Sequence, residues 1–85
     1  FRVGEFYFNG GWYPGAIQRM RAVLAEDPEY TARDAVYFVL GESLAMIGRG
    51  DEALPYLNQL VDDFEQSEYL EPARRRIAEL EIQDR

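Results

Sequence analysis

The chain has 85 residues and a formal net charge of -7; all nine basic residues are Arg, against sixteen Asp and Glu, and His and Cys are absent. Without His or Cys there is no Ser-His or Cys-His nucleophile pair, no zinc site of the usual ligands, no haem ligation by those residues and no redox dithiol. The acidic balance argues against nucleic acid, whose phosphates call for a basic stripe. Hydrophobic content of 47%, with 14% aromatic, is enough to attempt one small core without a disulfide or metal staple.

Taken in chain order, the first element is a helix from Arg2 to Asn9, closed by Gly10-Gly11. The chain begins abruptly at Phe1-Arg2-Val3, in what reads as mid-helix, so a piece of a longer protein is expected. A partner helix starts near Tyr13, with Pro14 close to its first position, and runs to about Glu26, where Asp27-Pro28 stops it. After the connection Glu29 to Thr31, a third helix begins near Arg33. Val36, Tyr37, Leu40, Leu44 and Ile47 form its apolar stripe, and Gly48-Arg49-Gly50 ends it.

Asp51 is the expected N-cap of the fourth helix, with Glu52 in the first turn complementing the macrodipole. Ala53, Leu54, Leu57, Leu60, Val61 and Phe64 make its buried stripe. Pro55 then falls at the fourth helical position, where it removes one backbone donor. A polar turn, Glu65-Gln66-Ser67, precedes a fifth helix whose stripe is Tyr69 or Leu70, Ala73, Ile77 and Leu80. Its remaining positions are polar, as the outer face of a terminal solenoid helix must be. No segment alternates as a strand does. The longest apolar runs are a few residues, far below the roughly 18 to 20 of a membrane helix.

An internal repeat links these elements. Val3-Gly4, Tyr7, Gly11, Ala16-Ile17, Met20 and Val23-Leu24 recur as Leu40-Gly41, Leu44, Gly48, Ala53-Leu54, Leu57 and Leu60-Val61, each pair 37 residues apart (41 minus 4, 48 minus 11, 53 minus 16). The expected architecture is an all-α superhelix, or solenoid: one repeat over 1–30, a second over 33–67 and a capping helix over 68–83. Gly4 and Gly41 are expected to let each hairpin close against Ala16 and Ala53.

The repeat resembles the tetratricopeptide repeat (TPR), through Val3-Gly4, Tyr7, Ala16 and Pro28 in the first unit and Tyr37, Leu40-Gly41, Leu44 and Ala53 in the second. The period of 37 departs from the usual of about 34, and Glu65 stands where a closing Pro is customary. A narrower likeness rests on Tyr7-Phe8-Asn9-Gly10-Gly11-Trp12-Tyr13, Val23-Leu24-Ala25-Glu26-Asp27-Pro28, Thr31 to Val36, Asp63-Phe64 and Ser67-Glu68-Tyr69. These are similar to the last repeats of the BamD (YfiO) lipoprotein family of the outer-membrane β-barrel assembly machine. That resemblance implies a scaffold on the periplasmic face of the outer membrane, anchored through a lipidated N-terminal Cys that this sequence does not contain. It also implies docking on a POTRA domain of a BamA-like insertase.

Matching the repeat register sets Glu5, Phe8 and Asn9 of the first helix beside Phe38, Glu42 and Met46 of the third, on the concave face of the solenoid. One reading makes them a protein-binding patch; the other packs Phe8 and Phe38 in the core and leaves Glu5 and Glu42 solvated. The segment from Asp51 to Glu71 carries seven acidic residues and no basic one, either steering a basic partner or forming a solvated face. Arg74, Arg75 and Arg76 fan around their helix and are expected to pair with Glu71 or Glu79. Trp12 either plugs the first hairpin corner or serves as a partner hot spot.

Paired carboxylates on short hairpins lack the deep cleft of a glycosidase, and Asp62-Asp63-Glu65 lacks the frame of a calcium loop. The expectation is a non-catalytic protein-interaction scaffold with no cofactor. The alternatives are another periplasmic or cytoplasmic repeat adaptor for a peptide or cell-envelope factor, and a self-associating structural module in which Phe1, Val3 and Phe6 are left uncovered.

Overall fold

Five helices run through residues 1–83, the part that the computed structural model describes: α1 (Arg2–Asn9), α2 (Tyr13–Glu26), α3 (Arg33–Met46), α4 (Gly50–Asp63) and α5 (Leu70–Gln83). No strand occurs among the described residues. The fold is all-α and TPR-like, two helical hairpins followed by a capping helix.

Two glycines shape the hairpin corners. Gly11 and Gly48 have φ of 78° and 80°, a conformation that costs glycine nothing and penalises any Cβ. After α1 the Gly11 N–H donates to the Phe8 carbonyl (3.0 Å) and the Trp12 N–H to the Tyr7 carbonyl (2.7 Å). After α3 the Gly48 N–H donates to the Ala45 carbonyl (3.1 Å) and the Arg49 N–H to the Leu44 carbonyl (2.9 Å). Both are Schellman closures, and every residue of the second lies 37 positions after its counterpart in the first.

The second closure moves the start of α4. Arg49, not Asp51, is the N-cap: its carbonyl accepts from the Glu52 and Ala53 amides, each at 3.1 Å, so Asp51 and Glu52 stand inside the first helical turn. Their charges still meet the positive end of the macrodipole. Pro55 accordingly sits at the sixth helical position instead of the fourth, counting from Gly50. The helix runs through it, and the Asp51 carbonyl loses its intrahelical donor at a point where Asp51 and Pro55 are both exposed.

The close approach at the two buried helix glycines is also one turn from its expected place. A Cβ on Gly41 would lie 2.5 Å from Leu57 Cδ2, and one on Gly4 would lie 2.9 Å from Met20 Cε. Met20 and Leu57 are repeat equivalents, and both are wholly buried. Helical side chains lean toward the N-terminus of their own helix, so the notch takes a long side chain reaching back instead of Ala16 or Ala53.

The core joins Ala16, Ile17 and Met20 of α2, Val36, Val39, Leu40 and Leu44 of α3, Ala53, Leu57 and Leu60 of α4, and Ala73 and Leu80 of α5. Each helix packs on its neighbours in sequence, and α1 and α5 each also touch α3. That places α1, α3 and α5 side by side on one face, with α2 and α4 behind. At the far end Leu80 lies over Gly50, while Arg74, Arg75, Glu79 and Glu81 face solvent.

Candidate protein-binding face

The face made by α1, α3 and α5 carries two open cavities. The first, about 450 Å³, is walled by Phe1 and Glu5 at one end, Asp34 and Ala35 on α3, and Ser67, Glu68 and Tyr69 in the turn before α5. The second, about 180 Å³, lies between Phe38 and Glu42 of α3 and Pro72, Arg75, Arg76 and Glu79 of α5. Between them the rings of Phe38 and Tyr69 stack, with centroids 5.0 Å apart and planes 22° from parallel.

The turn that delivers Tyr69 is pinned to α3. Ser67 donates its hydroxyl to Asp34 Oδ2 (2.6 Å) and accepts from the Tyr69 amide (3.1 Å). Burial, followed by the carboxylates of Glu68, Asp34 and Glu5, pushes the Tyr69 phenol above its ordinary range. Three carboxylates around the first cavity therefore act on one ring.

The second cavity is closed electrically. Arg76 donates from Nε and Nη2 to the two oxygens of Glu42, at 2.8 and 2.9 Å, and from Nη1 to Glu79 at 3.0 Å. These hydrogen bonds, Glu42 first, hold its guanidinium more firmly protonated than usual.

A family model for the tetratricopeptide repeat matches residues 11–82. The chain belongs to the tetratricopeptide repeat family. No curated protein and no solved structure gives a significant match. Tetratricopeptide repeats generally mediate protein–protein interaction as non-enzymatic scaffolds, and membership suggests a protein partner.

Within this TPR face the six residues singled out in the sequence are dispersed. Glu5 is exposed on the rim of the first cavity, and Phe38 and Glu42 are half-buried in the wall of the second. Met46 is 51% exposed, with its sulfur 3.8 Å from Arg76 Nη2. Phe8 packs edge-on against Tyr13, centroids 6.0 Å apart, and Asn9 is exposed at the end of α1; neither lines the two cavities. Of the core-or-solvent alternative, exposed Glu5 matches the solvated reading and Phe8 and Phe38 pack half-buried against the core, while Glu42 is paired with Arg76.

The sequence reading missed α5 as a contributor. Extending the repeat offset would have found it: Glu5, Glu42 and Glu79 stand at successive intervals of 37 (42 minus 5, 79 minus 42), one on each helix of the face. Ala73 follows Val36 by the same interval, so the capping helix α5 stands in the register of the leading helices α1 and α3.

Two of the three expected Arg pairings are present, Arg74 with Glu71 at 3.1 Å and Arg76 with Glu79; Arg75 makes no salt bridge among the described residues. In the acidic segment Glu52 is gripped by Arg49 and lies 3.7 Å from Arg21, and the Arg49 contact holds its carboxyl below the usual range. Trp12 covers Gly15 at the first corner yet is 60% exposed. Of the residues expected to be uncovered, Val3 and Phe6 are 46% and 73% exposed, but Phe1 is half-buried against Tyr30, with ring centroids 5.8 Å apart. Among the described residues no cluster of three metal-ligating side chains occurs, and no helix is long and apolar enough to cross a membrane.

Proposed function

We propose that the chain is a non-catalytic scaffold that holds an extended polypeptide along the face of α1, α3 and α5. The observation that carries this reading is the pair of open cavities on either side of the Phe38–Tyr69 stack, each lined by aromatic rings together with charged side chains. Amide-shift mapping with an unfolded polypeptide tests it. Perturbations are expected on Glu5, Phe38, Met46 and Tyr69; perturbations confined to α2 and α4 would refute it.

The finer assignment is to a BamD-like lipoprotein acting in outer-membrane β-barrel assembly at the periplasmic face, with a POTRA domain of a BamA-like insertase as partner. It rests on the residue likeness around Tyr7 to Tyr13, Val23 to Pro28 and Asp63 to Tyr69. Binding of a purified POTRA domain to the chain is the direct test. Absence of binding at high micromolar concentration would remove the assignment and leave the scaffold reading in place.

Exposed Val3 and Phe6 on α1 favour a second reading, self-association through that helix. A monomer mass in light scattering that stays constant with concentration would exclude it.

A further inference from the structure

Arg76 shows how this face accommodates a guanidinium. It lies between repeat-equivalent carboxylates, Glu42 on α3 and Glu79 on its own helix, beside the aromatic wall of Phe38. The same carboxylate position on α1 is Glu5, but among the described residues no arginine pairs with it: the residue equivalent to Arg76 on α3, 37 positions earlier, is Val39, which is buried in the core. Among the described residues neither Glu5 nor Glu68 takes part in a salt bridge. The first cavity thus repeats the acidic and aromatic character of the second without an internal guanidinium. Its side chains include three carboxylates and the rings of Phe1 and Tyr69, with no Lys or Arg.

We propose that the cavity bounded by Glu5, Glu68 and Tyr69 receives an arginine side chain of the bound polypeptide, in the manner in which Glu42 and Glu79 hold Arg76. This deepens the scaffold reading and rests on it. The occupant is an arginine, and a lysine is the poorer fit. A planar guanidinium forks onto carboxylate oxygens while lying flat on a ring, and an ammonium acts as a point charge on a hydrated stem. The volume of about 450 Å³ accommodates such a side chain together with the backbone that carries it. A partner segment of net positive charge is also the one that a chain of charge -7 steers toward itself.

The test uses pools of nine-residue peptides, random except for a central Arg, Lys, Gln or Glu, titrated into the whole chain and followed by amide shifts. The central-Arg pool is expected to bind about tenfold more tightly than the central-Gln pool, to perturb Glu5 and Tyr69, and to weaken with added salt. The double variant Glu5→Gln, Glu68→Gln changes two exposed side chains and should abolish that preference while retaining residual binding at Met46. Equal binding of the Arg and Gln pools to α1, α3 and α5, or a preference that survives the double variant, overturns the arginine site and leaves the scaffold reading standing. Shifts on α2 and α4 alone, or none with any pool, overturn both.

Discussion

Arg76 reaches from α5 to both oxygens of Glu42 on α3, at 2.8 and 2.9 Å, so the capping helix is tied to the central one by a charge pair as well as by its apolar side chains. Both partners are only partly exposed, which limits screening without the full desolvation cost of a buried pair. Glu42→Gln and Arg76→Met should each lower stability by about 1–2 kcal/mol, and their double-mutant cycle should show coupling of at least about 1 kcal/mol. Urea unfolding of the four proteins measures it. Additive effects would mean that the pair is ornamental.

Gly41→Ala and Gly4→Ala should part company. At Gly41 the intruding Cβ meets Leu57 at Cδ2 and at Cγ, 2.5 and 2.6 Å away, and Leu57 is wholly enclosed, so overpacking costs about 1–3 kcal/mol. At Gly4 the closest atom is the terminal methyl of Met20, the end of a pliable side chain, and the helix-propensity gain of about 1 kcal/mol offsets much of the strain. Thermal melts of the two variants should differ clearly. Equal losses would contradict the assignment of the tighter contact to Gly41.

Among the described residues Ser43 is the only wholly buried polar side chain, and its hydroxyl finds no hydrogen-bond partner there. Ser43→Ala removes a desolvated group and adds helix propensity. A gain of about 1 kcal/mol is expected, or a Tm higher by roughly 4–8 °C for a domain of this size. A lower Tm would show that the hydroxyl has a partner in solution.

Alkaline pH should loosen the turn before α5. The Tyr69 phenol is raised above its ordinary value of 10.0 by burial and by the carboxylates around it, so the unfolded chain gives up this proton before the folded one does. Stability from this source is complete below the ordinary value and is lost as pH rises through the folded one. Tyr69→Phe keeps the ring on Phe38 and should flatten the fall in Tm between about pH 9 and 11. An unchanged pH profile would mean that other tyrosines carry the alkaline transition.

Much of this architecture is written in local signals. Gly10-Gly11 and Asp27-Pro28 close α1 and α2 where the sequence places their ends, because φ preferences and a missing donor act within a few residues. The start of α4 was not legible in the same way. Asp51 is as suitable inside a first turn as at an N-cap, and the choice was made by the Schellman closure at Gly48, through hydrogen bonds to carbonyls three and five residues back. Periodicity gave the buried face of each helix but not the height at which helices cross, so Ala16 and Ala53 were expected where Met20 and Leu57 press.

The candidate site was half legible for a related reason. Glu5 and Glu42 were found from the repeat register, yet the Arg76 that silences Glu42 comes from a residue 34 positions away, on a helix whose polar pattern reads as a cap. Its charges look like solvent-facing ones until the two helices are brought together.

The corners at Gly11 and Gly48 have a last consequence. Because main-chain bonds alone fold them, the residue that follows is under no obligation to the turn, and the two copies have filled that place with chemically unlike side chains: an indole resting on a glycine at Trp12, a guanidinium clasping an acid at Arg49. Such a corner is a mounting point. Evolution or a designer can exchange what is displayed there, one helical hairpin at a time, while the rods behind it stay where they are.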